Sequence, residues 1–157
     1  MIDIVDELRD LVARFDEHHV EYALCGGMAM GVHGFMRMTM DIDFLIPASS
    51  LESAMTIATE LGYTIRGKDL SFKDGAVEIR RISKVDADSG DLLPLDFILV
   101  TPTNQSAWDS RLTAEWKFGR LTIVTRDGLI AMKKLRNSGQ DIADIERLLG
   151  EDDDARS

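Results

Sequence analysis

Two aspartates, one residue apart, interrupt an apolar run at residues 38–46, "MTMDIDFLI". The rest of that run reads as a buried strand, where carboxylates are rarely fully buried unless something pairs with them. Side chains alternate along a strand, so Asp41 and Asp43 project from the same side, about 7 Å apart at the backbone, and can reach one centre. Two carboxylates aimed at one point repel each other. A divalent cation is the usual neutraliser, and an oxygen-only ligand set suits Mg²⁺ or Mn²⁺. Too few histidines lie near them for zinc.

A further carboxylate, Asp96, interrupts "LPLDFILV" among Leu93, Leu95, Phe97 and Leu99, where a lone buried charge would cost several kcal/mol. If that strand lies beside "DIDFLI", the acids at 41, 43 and 96 converge. A two-metal phosphoryl-transfer site needs that arrangement, with cations about 3.5–4 Å apart. Gly26 and Gly27 fall between a strand and a short helix, where missing side chains let a phosphate approach backbone N–H groups. Each signal alone also has a plainer reading: "DID" as an edge strand with solvated acids, "GG" as a turn.

Periodicity supplies the elements that position these residues. Ile4, Leu8, Leu11 and Phe15 recur at helical spacing, so residues 3–18 read as an amphipathic helix. "VEYALC" reads as a strand, "MAMGVHGF" as about two helical turns, and "MTMDIDFLI" as a strand closed by Pro47. "SSLESAMTIATELG" is a helix with Ser50 as its cap; "YTIR", "LSFK", "VEIRRI" and "LLPLDFILV" are strands, and "RLTIVT" is a strand or an arm. "DGLIAMKKLRN" is a helix, and "DIADIERLL" is a last helix with Ile142, Ile145 and Leu149 inward. This order predicts an α/β or α+β fold, a mixed sheet flanked by helices. Residues 1–150 are expected to form one domain, with 151–157 an acidic, disordered tail.

Composition agrees with a folded domain: 45% hydrophobic and 29% charged residues over 157 positions can bury a sizeable core. The net charge of −10 opposes sequence-independent affinity for nucleic acid or an anionic membrane, without excluding a local basic patch. The acidic N-terminal stretch is unlike a targeting peptide, and no apolar run approaches the ~20 residues of a spanning helix. One cysteine, Cys25, permits no internal disulfide and reads as a core residue, so the expected setting is a reducing cytoplasm without membrane contact.

Cys25-Gly26-Gly27, a gap of thirteen residues, then Asp41-Ile42-Asp43-Phe44 resembles the motif of the nucleotidyltransferase superfamily that shares the DNA polymerase β catalytic core. "GGMAMGVHGFMRMTMDIDFLI" with "LIAMKKLRNSGQDIADIERLL" resembles, more narrowly, the minimal bacterial nucleotidyltransferases grouped with AbiEii toxins, some related to aminoglycoside nucleotidyltransferases. The resemblance implies that Asp41, Asp43 and Asp96 bind Mg²⁺ or Mn²⁺, with Asp96 also the candidate base for an acceptor hydroxyl. Gly26, Gly27, Lys133 and Arg37 would contact a nucleoside triphosphate. Arg37 has an ordinary surface salt bridge as its alternative, and the family's arginine just before Asp141 is replaced here by Ser138 and Gly139.

The implied activity is transfer of a nucleoside monophosphate to a hydroxyl of an unidentified small molecule, tRNA or protein, as an enzyme or a toxin–antitoxin component. The alternative is a non-catalytic nucleotide- or partner-binding module of the same fold. A homodimer or partner subunit could complete the pocket. His33 reads as a helix-end or packing residue, Asp141 as a helix cap, and Trp108 and Trp116, eight apart, as one packed helical face. The acidic loop with Asp86, Asp88 and Asp91 reads as solvated.

Overall fold

The structure is a computed structural model that describes residues 2–34, 40–136 and 139–156. The first helix, α1 (Ile4–Glu17), begins where the spacing predicts: the Asp3 carboxylate accepts from the backbone N–H groups of Val5 and Asp6. Its buried face is Leu8, Leu11, Val12 and Phe15. The chain continues through β1 (Ala23–Cys25), α2 (Gly26–Val32), β2 (Ile42–Ile46), α3 (Leu51–Glu60), β3 (Ile65–Arg66), β4 (Leu70–Phe72), β5 (Val77–Val85) and β6 (Leu92–Leu99). Then come α4 (Gln105–Asp109), β7 (Leu112–Trp116), β8 (Gly119–Ile123), α5 (Arg126–Arg136) and α6 (Gly139–Arg156).

These strands form one mixed sheet in the order β3-β5-β6-β2-β1-β8-β7, with β4 also on β5. β2 and β6 run parallel, as do β1 and β8, and the other pairs are antiparallel. β3 and β4 are two pieces of one edge. Arg66 pairs with Ile82 and Leu70 with Ile79, so the edge gains one residue between them, a bulge at 67–69.

Period-2 alternation gives the two faces of the sheet different work. Phe44 on β2 and Phe97 on β6 point to one face, where Phe15 of α1 meets their rings at centroid distances of 5.2 and 6.3 Å. Tyr22 joins them, 5.6 Å from Phe15 and 5.5 Å from Phe44, and α3 packs beside α1. The odd-numbered residue Asp43 and the even-numbered Asp96, paired in register across β2 and β6, point to the other face. There α2, α5 and α6 enclose a cleft.

Several expectations are corrected. β2 begins at Ile42, and Asp41 lies in a bend just before it. "VEYALC" forms a strand only over Ala23–Cys25. Ser50 precedes α3 but its side chain makes no cap hydrogen bond, because a 3₁₀ turn at Ala48–Ser50 already leads into the helix. Trp108 and Trp116 share no helix: the first is on α4 and the second on β7, a strand the sequence reading did not anticipate. On α6 the buried residues are Asp141, Asp144 and Leu148, whereas Ile142 and Leu149 are exposed. Of the three residues expected to point inward, Ile145 packs against the core.

Candidate functional site

Asp43 and Asp96 are direct register partners across the parallel strands β2 and β6. Asp41, in the bend preceding β2, brings its carboxylate to the same point. One carboxylate oxygen from each lies within 4.8 Å of the others, the only such acidic grouping among the described residues. Asp43 is 6% and Asp96 5% exposed, while Asp41 is half-buried. Oxygens on opposite sides of an octahedral magnesium-type cation are about 4.2 Å apart. Three donors to one such ion include at least two adjacent pairs, about 3 Å apart, so the three acids, whose oxygens lie within 4.8 Å of one another, would close in by side-chain rotation to share it, and their oxygen-only chemistry matches it. The donor set carries this fit.

Gly26 explains how Asp43 reaches that position. Cys25 pairs with Asp43 across β1 and β2, and the chain turns into α2 at the next residue with φ +68°. A Cβ built on Gly26 would sit 2.1 Å from Asp43 Oδ2 and 2.8 Å from its Cγ. The glycine thus makes room for the Asp43 carboxylate. Gly26→Ala is expected to cost about 1–2 kcal/mol from the left-handed backbone alone. It should also push Asp43 out of line and weaken divalent-cation binding, read by calorimetric titration beside a thermal melt. An alanine variant with unchanged cation affinity would show that Asp43 tolerates displacement.

Arg81 is the site residue that sequence reading missed. Its Nε donates to Asp96 Oδ1 at 2.7 Å and its terminal nitrogen to Asp96 Oδ2 at 2.8 Å, a bidentate grip. The hydrogen bonds to Asp96 raise the Arg81 pKa above its ordinary value, against partial burial and with further charge contributions from Asp96, Asp41 and Asp43. A signal for it existed. Pairing "VEIRRISKV" with "LLPLDFIL" backward from the acidic turn sets Val85 against Leu92, and hence Arg81 against Asp96.

Lys133 of α5 lies in the same cleft, with Gly26, Asp43, Cys25, Asp141, Leu129 and Met132 among its lining. It is 4% exposed, and its Nζ donates to Asp144 Oδ2 at 3.0 Å and lies 3.9 Å from Asp141 Oδ1. Both aspartates have 0% exposure. Asp141 therefore faces an interior lysine from within the first turn of α6, which replaces the expected capping role. His33 is the C-cap of α2 and its Nε2 is 2.9 Å from the Val124 carbonyl oxygen, which accords with a helix-end packing role. Gly27 is buried in α2 next to Gly26. Arg37 lies outside the described residues.

No protein-family model matches the sequence, and no curated protein matches it. Solved structures do. A Thermotoga maritima protein, TM1012, assigned provisionally as a nucleotidyltransferase, superposes with a TM-score of 0.62 over 96% of each chain at 12% identity. ANT(2'')-Ia, solved in complex with adenylyl-2''-tobramycin, gives 0.63 at 15% identity over 92% of this chain and 86% of its own. A solution structure of ANT(2'')-Ia, described as an antibiotic-resistance factor, gives 0.59 at 15% identity over 94% and 83%. The chain has the nucleotidyltransferase fold. No described helix is long and apolar enough to cross a membrane.

Proposed function

We propose that this chain is a divalent-metal-dependent nucleotidyltransferase that moves a nucleoside monophosphate from a nucleoside triphosphate to an acceptor hydroxyl. The observation that carries the reading is the convergence of Asp41, Asp43 and Asp96 beside Gly26, on a fold shared with nucleotidyltransferases. Magnesium or manganese held by these acids would neutralise phosphate charge and favour ionisation of the attacking hydroxyl.

The chain's own residues have separable tasks in this scheme. Gly26 and Gly27 offer backbone N–H groups at the start of α2, close to where the phosphates would lie. Lys133 would supply a cation to the triphosphate from the cleft wall, and Arg37 a second. Asp96 is the candidate base, a role that requires its bidentate hydrogen bonds to Arg81 to loosen first. Val77, Ile79 and Ile98 give the same cleft an apolar wall suited to a flat ring. An AbiEii-like toxin activity on tRNA or protein, modification of a small molecule, and a partner subunit that completes the pocket are all compatible with this chemistry.

The direct test uses triphosphates labelled on either the α- or the γ-phosphate, incubated with Mg²⁺ and candidate acceptors. The reading expects the α-label to move to an acceptor while the γ-label leaves as pyrophosphate. A folded protein that binds no triphosphate with or without Mg²⁺ would end both this reading and that of a nucleotide-binding module.

A further inference from the structure

We propose that Arg81 is a displaceable counter-ion that holds Asp96 in the metal-free protein and gives up that carboxylate to an incoming divalent cation. The inference rests on the reading of the acidic centre given above and assigns a task to a residue which that reading does not need. Both Asp96 oxygens are engaged by the guanidinium, at 2.7 and 2.8 Å, so a cation approaching Asp96 meets a positive charge already bound there. Two cations on one carboxylate repel, and in a partly exposed site that repulsion corresponds to roughly tenfold or more in binding.

The geometry favours exchange over a permanent pair. The Asp96 side chain is 7% exposed and fixed within β6, whereas that of Arg81 is 42% exposed and has solvent to swing into. Among the described residues, the hydrogen bonds of the guanidinium all go to Asp96. The rest of the residue is anchored. The Arg81 carbonyl accepts from the Gly67 N–H at 2.9 Å and from the Arg66 guanidinium at 2.9 Å. Gly67, in the bulge of the edge strand, seats its stem: a Cβ there would lie 3.1 Å from Arg81 Cβ and 3.2 Å from Cγ. A seated stem with a head held by one partner can rotate at its outer torsions without moving the sheet.

The experiment is Mn²⁺ titration followed by electron paramagnetic resonance on the full chain, comparing wild type, Arg81→Met and Arg81→Lys. Methionine keeps the apolar stem and removes the charge, so Mn²⁺ should bind about tenfold tighter than to wild type. Lysine keeps the charge but offers no fork, so tightening should be smaller, and this variant decides the matter if Arg81→Met does not fold. Equal or weaker binding in Arg81→Met overturns the proposal, because Arg81 would then support the ligand instead of competing for it. If wild type binds Mn²⁺ and the variants bind no tighter, this inference falls alone. If no form binds, the acidic centre falls with it.

Discussion

Asp43→Asn is expected to lower nucleotidyl transfer by about a thousandfold or more while the protein stays folded. The substitution preserves size and shape, so the seat against Gly26 is kept, but it removes one of the three charges that converge within 4.8 Å. Loss of a metal-facing carboxylate forfeits several kcal/mol of stabilisation of developing phosphate charge, and each 1.36 kcal/mol is a factor of ten in rate. Stability should hold or rise slightly, since crowded carboxylates repel each other in the metal-free state. Paired transfer assays and thermal melts check both halves. Wild-type transfer in this variant would remove Asp43 from the chemistry, and unchanged transfer with lost partner binding would point to an interaction surface.

The second large effect concerns stability. Lys133→Met takes the lysine away from Asp144 and Asp141, which have no solvent exposure. Breaking a buried pair by removing one partner typically costs about 3–5 kcal/mol. For a chain of this length that is a fall in Tm of about 6–20 °C. Lys133→Met combined with Asp144→Leu should recover much of the loss, since the double variant removes both charges of the 3.0 Å pair together. Asp144→Asn separates architecture from ligand binding: it weakens the α5–α6 link yet leaves the lysine, so triphosphate affinity should persist where Lys133→Met abolishes it. Equal Tm values for wild type and Lys133→Met would mean the cluster is not the clasp between the last two helices.

The acids were legible because a carboxylate inside an apolar run is conspicuous on any reading: Asp43 and Asp96 stand out in "DIDFLI" and "LPLDFILV", and the parallel register of β2 and β6 brings them together. The helix of Ile4, Leu8, Leu11 and Phe15 was legible for the same reason, a clean period with an aspartate cap. Arg81 was hidden because an arginine in a strand is ordinary on a surface, and only the strand register identifies its partner. The inward face of α6 was misread because apolar spacing favours Ile142 and Leu149, while the helix turns Asp141 and Asp144 inward toward Lys133. Hydrophobic periodicity has no term for a buried ion cluster. β7 escaped notice because Trp116 was read with Trp108 as one helical face, although "LTAEW" alternates apolar and polar residues as an edge strand does.

The most direct measurement of the central claim is a crystal of the chain grown with Mn²⁺ and a non-hydrolysable nucleoside triphosphate, with manganese located by its anomalous scattering. The account predicts a peak within bonding distance of carboxylate oxygens from Asp41, Asp43 and Asp96, with the triphosphate against Gly26. A triphosphate bound elsewhere, or manganese absent from this point while Arg81 still grips Asp96, would contradict it.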